Sequence, residues 1–147
     1  MRIVVFDPGK TTGWCIIRAD GDGTCFIIGA GGVRGFEELE SCLGAIQILE
    51  EFKRIDACIY EGFARGNAST GDQLEAIELC GVIRWNAWKH DWPLVMQYPA
   101  NRKGYISFAK AMLKDFAIPT NERVHAIDAV AHGLRFLARQ GVYDVNA

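Results

Sequence analysis

The chain is predicted to be an α/β domain, a five-stranded mixed sheet with helices on both faces. Three observations point there. Three strand-like apolar runs follow one another at the start. Helical periods then alternate with two more short apolar runs, and two helical segments close the chain. The resulting order, β-β-β-α-β-α-β-α-α, starts with antiparallel hairpins and continues with crossovers, which is how mixed sheets are built.

The first strand, residues 2–7, is Ile3-Val4-Val5-Phe6 and ends on Asp7. Pro8 and Gly9 stop it, and Gly13 is expected to permit a close reversal into the second strand, 13–19. Gly9-Lys10-Thr11 has the look of a phosphate-binding loop but fails as one. The motif's first glycine would fall on Val4, and a strand follows where a helix is needed. Asp20-Gly21-Asp22-Gly23 is a hairpin turn into the third strand, 24–29. Residues 29–35, rich in glycine, read as a plain turn. A dinucleotide fingerprint is rejected, because its last glycine comes one place too late and the preceding strand belongs to a hairpin.

Residues 35–54 carry Leu39, Leu43, Ile46 and Leu49 at helical spacing. The fourth strand, 56–61, again ends on an acid, Glu61. A small polar loop, 62–71, leads into a long helix, 72–90, halted by Asp91-Trp92-Pro93. The fifth strand is 94–98. Helices over 102–116 and 122–139 finish the chain, with Thr120 or Asn121 as the expected cap of the last. A right-handed crossover through the first helix would pair strands one and four in parallel. Asp7 and Glu61 would then lie side by side at one rim.

Composition sets the boundaries. At 147 residues, half of them apolar, the chain is expected to be a single domain, 1–147, with a real core. Its five cysteines are widely spaced and form no CxxC pair, so they read as reduced, buried thiols of a cytoplasmic protein. No apolar run approaches the roughly 18 residues of a membrane span, and a strand starting at the second residue leaves no room for a leader. The net charge is −2, yet between Gly81 and Lys114 the charged residues are Arg84, Lys89, Asp91, Arg102, Lys103, Lys110 and Lys114. That stretch is basic, and distribution matters more than the sum for nucleic-acid binding.

The last helix places His125, Asp128 and His132 at i, i+3 and i+7, on one face, among alanines and apolar residues. Each residue has a plain explanation on its own. Asp7 can cap a turn, Glu61 can face solvent, Asp128 can pair with Arg123 or Arg135, and His125 can be a core histidine. Together they suggest a carboxylate-rich pocket of Asp7, Glu61, His125 and Asp128. An ionised Asp on a packed face needs a partner, and a divalent cation is one. Hard oxygen ligands suit Mg²⁺ or Mn²⁺, and two such ions can act on a phosphodiester. His132 could orient Asp128 and is left outside the site.

With these residues in place, the chain resembles the RuvC-type Holliday junction resolvases of the ribonuclease-H-like superfamily. The resemblance rests on Phe6-Asp7-Pro8-Gly9 with Thr12-Gly13-Trp14, on Ile59-Tyr60-Glu61 with Phe63, on His125-Ala126-Ile127-Asp128-Ala129, and on the basic Pro99-Ala100-Asn101-Arg102-Lys103. It runs through essentially the whole chain in order. It implies a ribonuclease-H-like fold and a metal-dependent crossover junction endodeoxyribonuclease, with Asp7, Glu61, His125 and Asp128 as catalytic and metal-binding residues around two Mg²⁺ or Mn²⁺ ions. It also implies a homodimer whose two sites nick opposed strands of a four-way junction. Many relatives carry Asp where His125 stands, and a histidine makes the second metal site less negative.

For DNA contact the candidates are Phe63, Arg65, Arg102, Lys103, Lys110 and Lys114. Phe63 follows Glu61 closely, so it serves either to stack on bases or to pack in the core. The cations would hold phosphates without reading sequence. Leu74, Ile77, Trp85 and Trp88 of the long helix read first as core and second as a dimer interface. The competing functions are a ribonuclease H on the same sheet and a non-catalytic DNA-binding module.

Overall fold

A computed structural model of the chain describes residues 1–49, 53–62 and 71–146, leaving aside the side chains of Asp72 and Asn101. Phe63 and Arg65 therefore lie outside the described residues. The strands are β1 (Arg2–Asp7), β2 (Thr11–Ala19), β3 (Cys25–Arg34), β4 (Ala57–Glu61) and β5 (Leu94–Gln97). The helices are α1 (Gly35–Leu49), α2 (Gly71–Lys89), α3 (Ile106–Leu113) and α4 (Thr120–Arg139), with a 3-10 segment, Pro99–Tyr105, ahead of α3. The strands form one sheet in the order β3-β2-β1-β4-β5. β1 is antiparallel to β2 and parallel to β4, with Phe6 opposite Tyr60, so Asp7 and Glu61 emerge together at one rim. The expected mixed sheet is present.

Alternation along β1 splits the core. Ile3 and Val5 pack with β2 and β4 residues against α3 and α4, while Val4 and Phe6 pack against α1 and α2. The sheet is thus buried on both faces, which is why β1 and β4 read as unbroken apolar runs.

Several sequence expectations are corrected. Residues 29–34 are not a turn: β3 continues through them, paired with β2 as far as Thr11 opposite Arg34. The Trp14 ring lies over this stretch, and a Cβ on Gly31 would come within 3.0 Å of the indole Nε1. Those glycines make room for a tryptophan rather than bend the chain. Gly13 is likewise no turn residue. It sits inside β2 opposite Asp7, and a Cβ there would collide with the His125 carbonyl oxygen at 1.9 Å. Gly133, on the facing side of α4, would meet Ile17 Cδ1 at 2.5 Å. Two glycines, one on the strand and one on the helix, let α4 settle onto the sheet. The basic stretch at 99–105 is 3-10 rather than α. α4 opens at Thr120 behind Pro119, with no side-chain cap.

α2 turns a different face inward from the one its tryptophans suggested. Ala76, Leu79, Ile83 and Ala87 are buried, while Leu74, Ile77, Trp85 and Trp88 are exposed, the two tryptophans by 58% and 70%. The core reading of that stripe is wrong, because the neighbouring face of the same helix, Ala76, Leu79, Ile83 and Ala87, does the packing. Trp92, after the helix, is the tryptophan that enters the core.

Candidate metal centre at the sheet rim

The site begins with register. β1 and β4 end together, β5 pairs in parallel with β4, and Glu61 stands opposite Gln97. Three polar residues thus close three adjacent apolar strands. α4 crosses this rim where Gly13 admits it, and brings His125 and Asp128 over the strand ends. Asp7, Glu61, His125 and Asp128 line one cavity of about 490 Å³, together with Pro8, Gly9, Lys10, Thr11, Gln73 and Ala76. All four candidate residues are therefore brought together. A larger groove of about 850 Å³, lined by Trp14, Ile28, Val33 and Leu49, lies away from the carboxylates, so size alone does not locate the chemistry.

Glu61 is the most constrained member. It is buried, and its Oε2 receives Arg102 Nη1 at 2.8 Å and faces His132 Nε2 at 2.7 Å. His132 has no exposed surface. Its Nδ1 lies 3.2 Å from Gln97 Oε1, and Gln97 Nε2 donates to the His132 carbonyl at 3.3 Å. The second bond turns the Gln97 oxygen toward the ring, so Nδ1 is the donor there. Both ring nitrogens are committed, and His132 acts as the rear support of Glu61.

Sequence reasoning tied His132 to Asp128 instead, one helical turn away. The register gave the missing signal. Extending the rim from β4 to β5 puts Gln97 beside Glu61, and a histidine bridging the two follows.

Asp128 finds neither Arg123 nor Arg135. Its Oδ1 forms an ion pair with Arg102 Nε at 3.1 Å. Arg123 is used to bind the Leu113 and Phe116 carbonyls at the end of α3. Arg102, expected only as a phosphate contact, therefore bridges two acids of the cluster. Lys103, Lys110 and Lys114 are exposed on the neighbouring 3-10 segment and α3.

Asp7 reports the resulting electrostatics. Its pKa rises from 3.8 to about 8. Loss of water through burial is the main cause, followed by repulsion from Glu61 and Asp128, and Arg102 offsets part of it. Among the described residues, the Arg102 guanidinium offsets only part of the charge of the three gathered carboxyl groups. The donor set fits a hard divalent ion: Asp7, Glu61 and Asp128 bring carboxylate oxygens to one cavity, and the surplus negative charge is what such an ion relieves. Of the two histidines, His125 lines the open cavity while His132 is fully engaged, so His125 is the one with a nitrogen to offer an ion.

Structural comparison decides the fold. Thermus thermophilus RuvC superposes with a TM-score of 0.68 at 17% identity, over 97% of this chain and 98% of that one. The same protein in complex with a Holliday junction substrate gives 0.70 at 18% identity, over the same shares. Its fold is that of the RuvC-type resolvases. The fowlpox virus resolvase, solved with substrate Holliday junction DNA, aligns at a TM-score of 0.61 and 14% identity, over 95% of this chain and 99% of that one. Both folds thus superpose on this chain nearly end to end. The sequence itself matches no family model and no curated protein.

Proposed function

We propose that this protein is a metal-dependent endonuclease that resolves four-way DNA junctions by paired phosphodiester hydrolysis. The observation that carries this reading is the gathering of Asp7, Glu61, His125 and Asp128 in one cavity on a RuvC-type fold. Asp7, Glu61, Asp128 and His125 would hold the two Mg²⁺ or Mn²⁺ ions. The ions supply the charge that activates a water and stabilises the leaving oxygen. The chain's own part is to hold the donors still. His132 and Gln97 fix Glu61 from behind, and the Gly13 contact sets the height of α4. Lys103, Lys110 and Lys114 offer phosphates a sequence-independent seat.

A homodimer suits a reaction that must cut two strands symmetrically. The exposed Leu74, Ile77, Trp85 and Trp88 face of α2, with its tryptophans stacked at 5.2 Å, is the surface we assign to it. Tryptophan is enriched at the buried centres of interfaces.

The test is side-by-side incubation of labelled four-way, flap and RNA–DNA hybrid substrates in Mg²⁺ or Mn²⁺. Preferential paired nicking of the four-way substrate, leaving 5′-phosphates, is expected. Preference for the hybrid would select a ribonuclease H instead, and no metal-dependent cutting of any substrate would leave a DNA-binding module.

A further inference from the structure

The acidic rim already contains a cation. Arg102 reaches Glu61 Oε2 with Nη1 and Asp128 Oδ1 with Nε, so it ties together two of the side chains assigned to ions. We propose that Arg102 is a latch: in the DNA-free protein its guanidinium competes with divalent ions for Glu61 and Asp128, and a DNA phosphate draws it away so that the site loads when substrate is seated. This rests on the junction-nuclease reading above.

Three features support an exchangeable arginine. First, the two partners of Glu61 Oε2 differ in freedom. His132 is wholly enclosed and held at both nitrogens, whereas the Arg102 side chain is 28% exposed. Second, Arg102 stands between two cavities. It lines an outer one of about 430 Å³ with Pro99, Ala100, Lys103 and Ile106, and Asp128 borders both that cavity and the inner one. The guanidinium thus has a path outward, beside a second cation that also attracts phosphate. Third, the exchange preserves bonding. A guanidinium offers a planar fork to carboxylates and to a phosphate alike, so moving from one to the other exchanges the Glu61 hydrogen bond and the Asp128 ion pair for charge-assisted contacts to phosphate.

Arg102 must also hinder ions while latched. It occupies an oxygen on each of two donor residues and places a positive charge beside any ion that approaches them. Coupling of this sort is reciprocal: if DNA raises the affinity for ions, ions raise the affinity for DNA by the same factor.

The experiment is Mn²⁺ binding to the DNA-free protein, measured by calorimetry and by the electron paramagnetic resonance signal of free Mn²⁺, for wild type, Arg102→Gln and Arg102→Lys. Arg102→Gln is expected to bind Mn²⁺ at least tenfold more tightly than wild type, with Arg102→Lys between them. Equal affinities would overturn the latch and leave the metal centre standing. Weaker binding by Arg102→Gln would also overturn it, by making the guanidinium a builder of the site. No Mn²⁺ binding by any of the three proteins would overturn the latch and the nuclease reading together. If Arg102→Gln does not fold, Arg102→Lys decides, with a gain of at least threefold expected and no gain overturning the proposal. Adding four-way DNA in Ca²⁺, which takes the same oxygen donors, is expected to raise the ion affinity of wild type tenfold and of Arg102→Gln by less. An equal rise in both would overturn the phosphate exchange.

Discussion

Replacing Asp7 by Asn should make the metal-free protein more stable while removing its response to ions. Asp7 has a pKa of 3.8 when unfolded and about 8 in place. At pH 7 the chain must therefore take up nearly one proton to fold. The cost is about 1.36 kcal/mol for each of the roughly three pH units between 3.8 and 7, or ~4 kcal/mol. An amide needs no proton and can still donate toward Glu61. It loses its own hydration, however, so about half of that cost, ~2 kcal/mol, should be recovered as stability. For a chain of this size that corresponds to a rise in melting temperature of roughly 6 °C. The assay is thermal unfolding at pH 7 after chelation, followed by Mn²⁺ titration. Wild type should gain stability with Mn²⁺, whereas Asp7→Asn should start higher and gain little. A chelated variant that melts at or below wild type would refute the crowding of Asp7 by Glu61 and Asp128.

Other consequences follow from the same geometry. Because the native Asp7 pKa is raised, the folded state binds more protons than the unfolded state between about pH 4 and 8. The metal-free protein should lose stability as pH rises through that window and change little above it from this group, a trend absent in Asp7→Asn and readable by denaturant titration. Mn²⁺ affinity should climb close to tenfold per pH unit up to about pH 8 and then level off, as calorimetry at fixed ionic strength would show. Gly13→Ala should cost about 2–4 kcal/mol in urea unfolding, because the new methyl meets the rigid His125 carbonyl, more than ordinary overpacking at a soft side chain. Gly133→Ala meets side chains rather than backbone, Ile17 Cδ1 at 2.5 Å and Val5 Cγ2 at 3.1 Å, and should cost less, about 1 kcal/mol. Trp85→Ser with Trp88→Ser should yield a monomer in sedimentation while moving the melting temperature of each subunit by only a few degrees; a dimer that persists would move the interface elsewhere.

How far the sequence carried depends on which forces act locally. Strand ends on Asp7 and Glu61, and the alternation of helical and strand periods, are patterns within single segments. They were enough to place the sheet and to bring the two acids to one rim. The helical spacing of His125 and Asp128 likewise survives folding unchanged, and both reach the cavity. What the sequence hid were contacts between segments far apart. Gly13 looked like a turn residue because its reason, the His125 carbonyl, lies 112 positions away by number. Residues 29–34 looked like a turn because Gly29 and Gly31 serve the Trp14 ring on the next strand, and Gly32 serves Glu122 of α4. The α2 tryptophans looked like core because they share a helical stripe with Leu74 and Ile77, while Ala76, Leu79, Ile83 and Ala87 held the inward face. Arg102 looked like a phosphate contact because nothing in its neighbourhood reveals that it faces Glu61 and Asp128.

The most direct measurement is a crystal structure grown in Mn²⁺ with anomalous data collected at the metal edge. Peaks in contact with Asp7 and flanked by Glu61 and Asp128 are expected, with the Arg102 guanidinium displaced from at least one of its carboxylates. Strong anomalous density elsewhere on the surface, and none between these three side chains, would contradict a metal centre at the sheet rim.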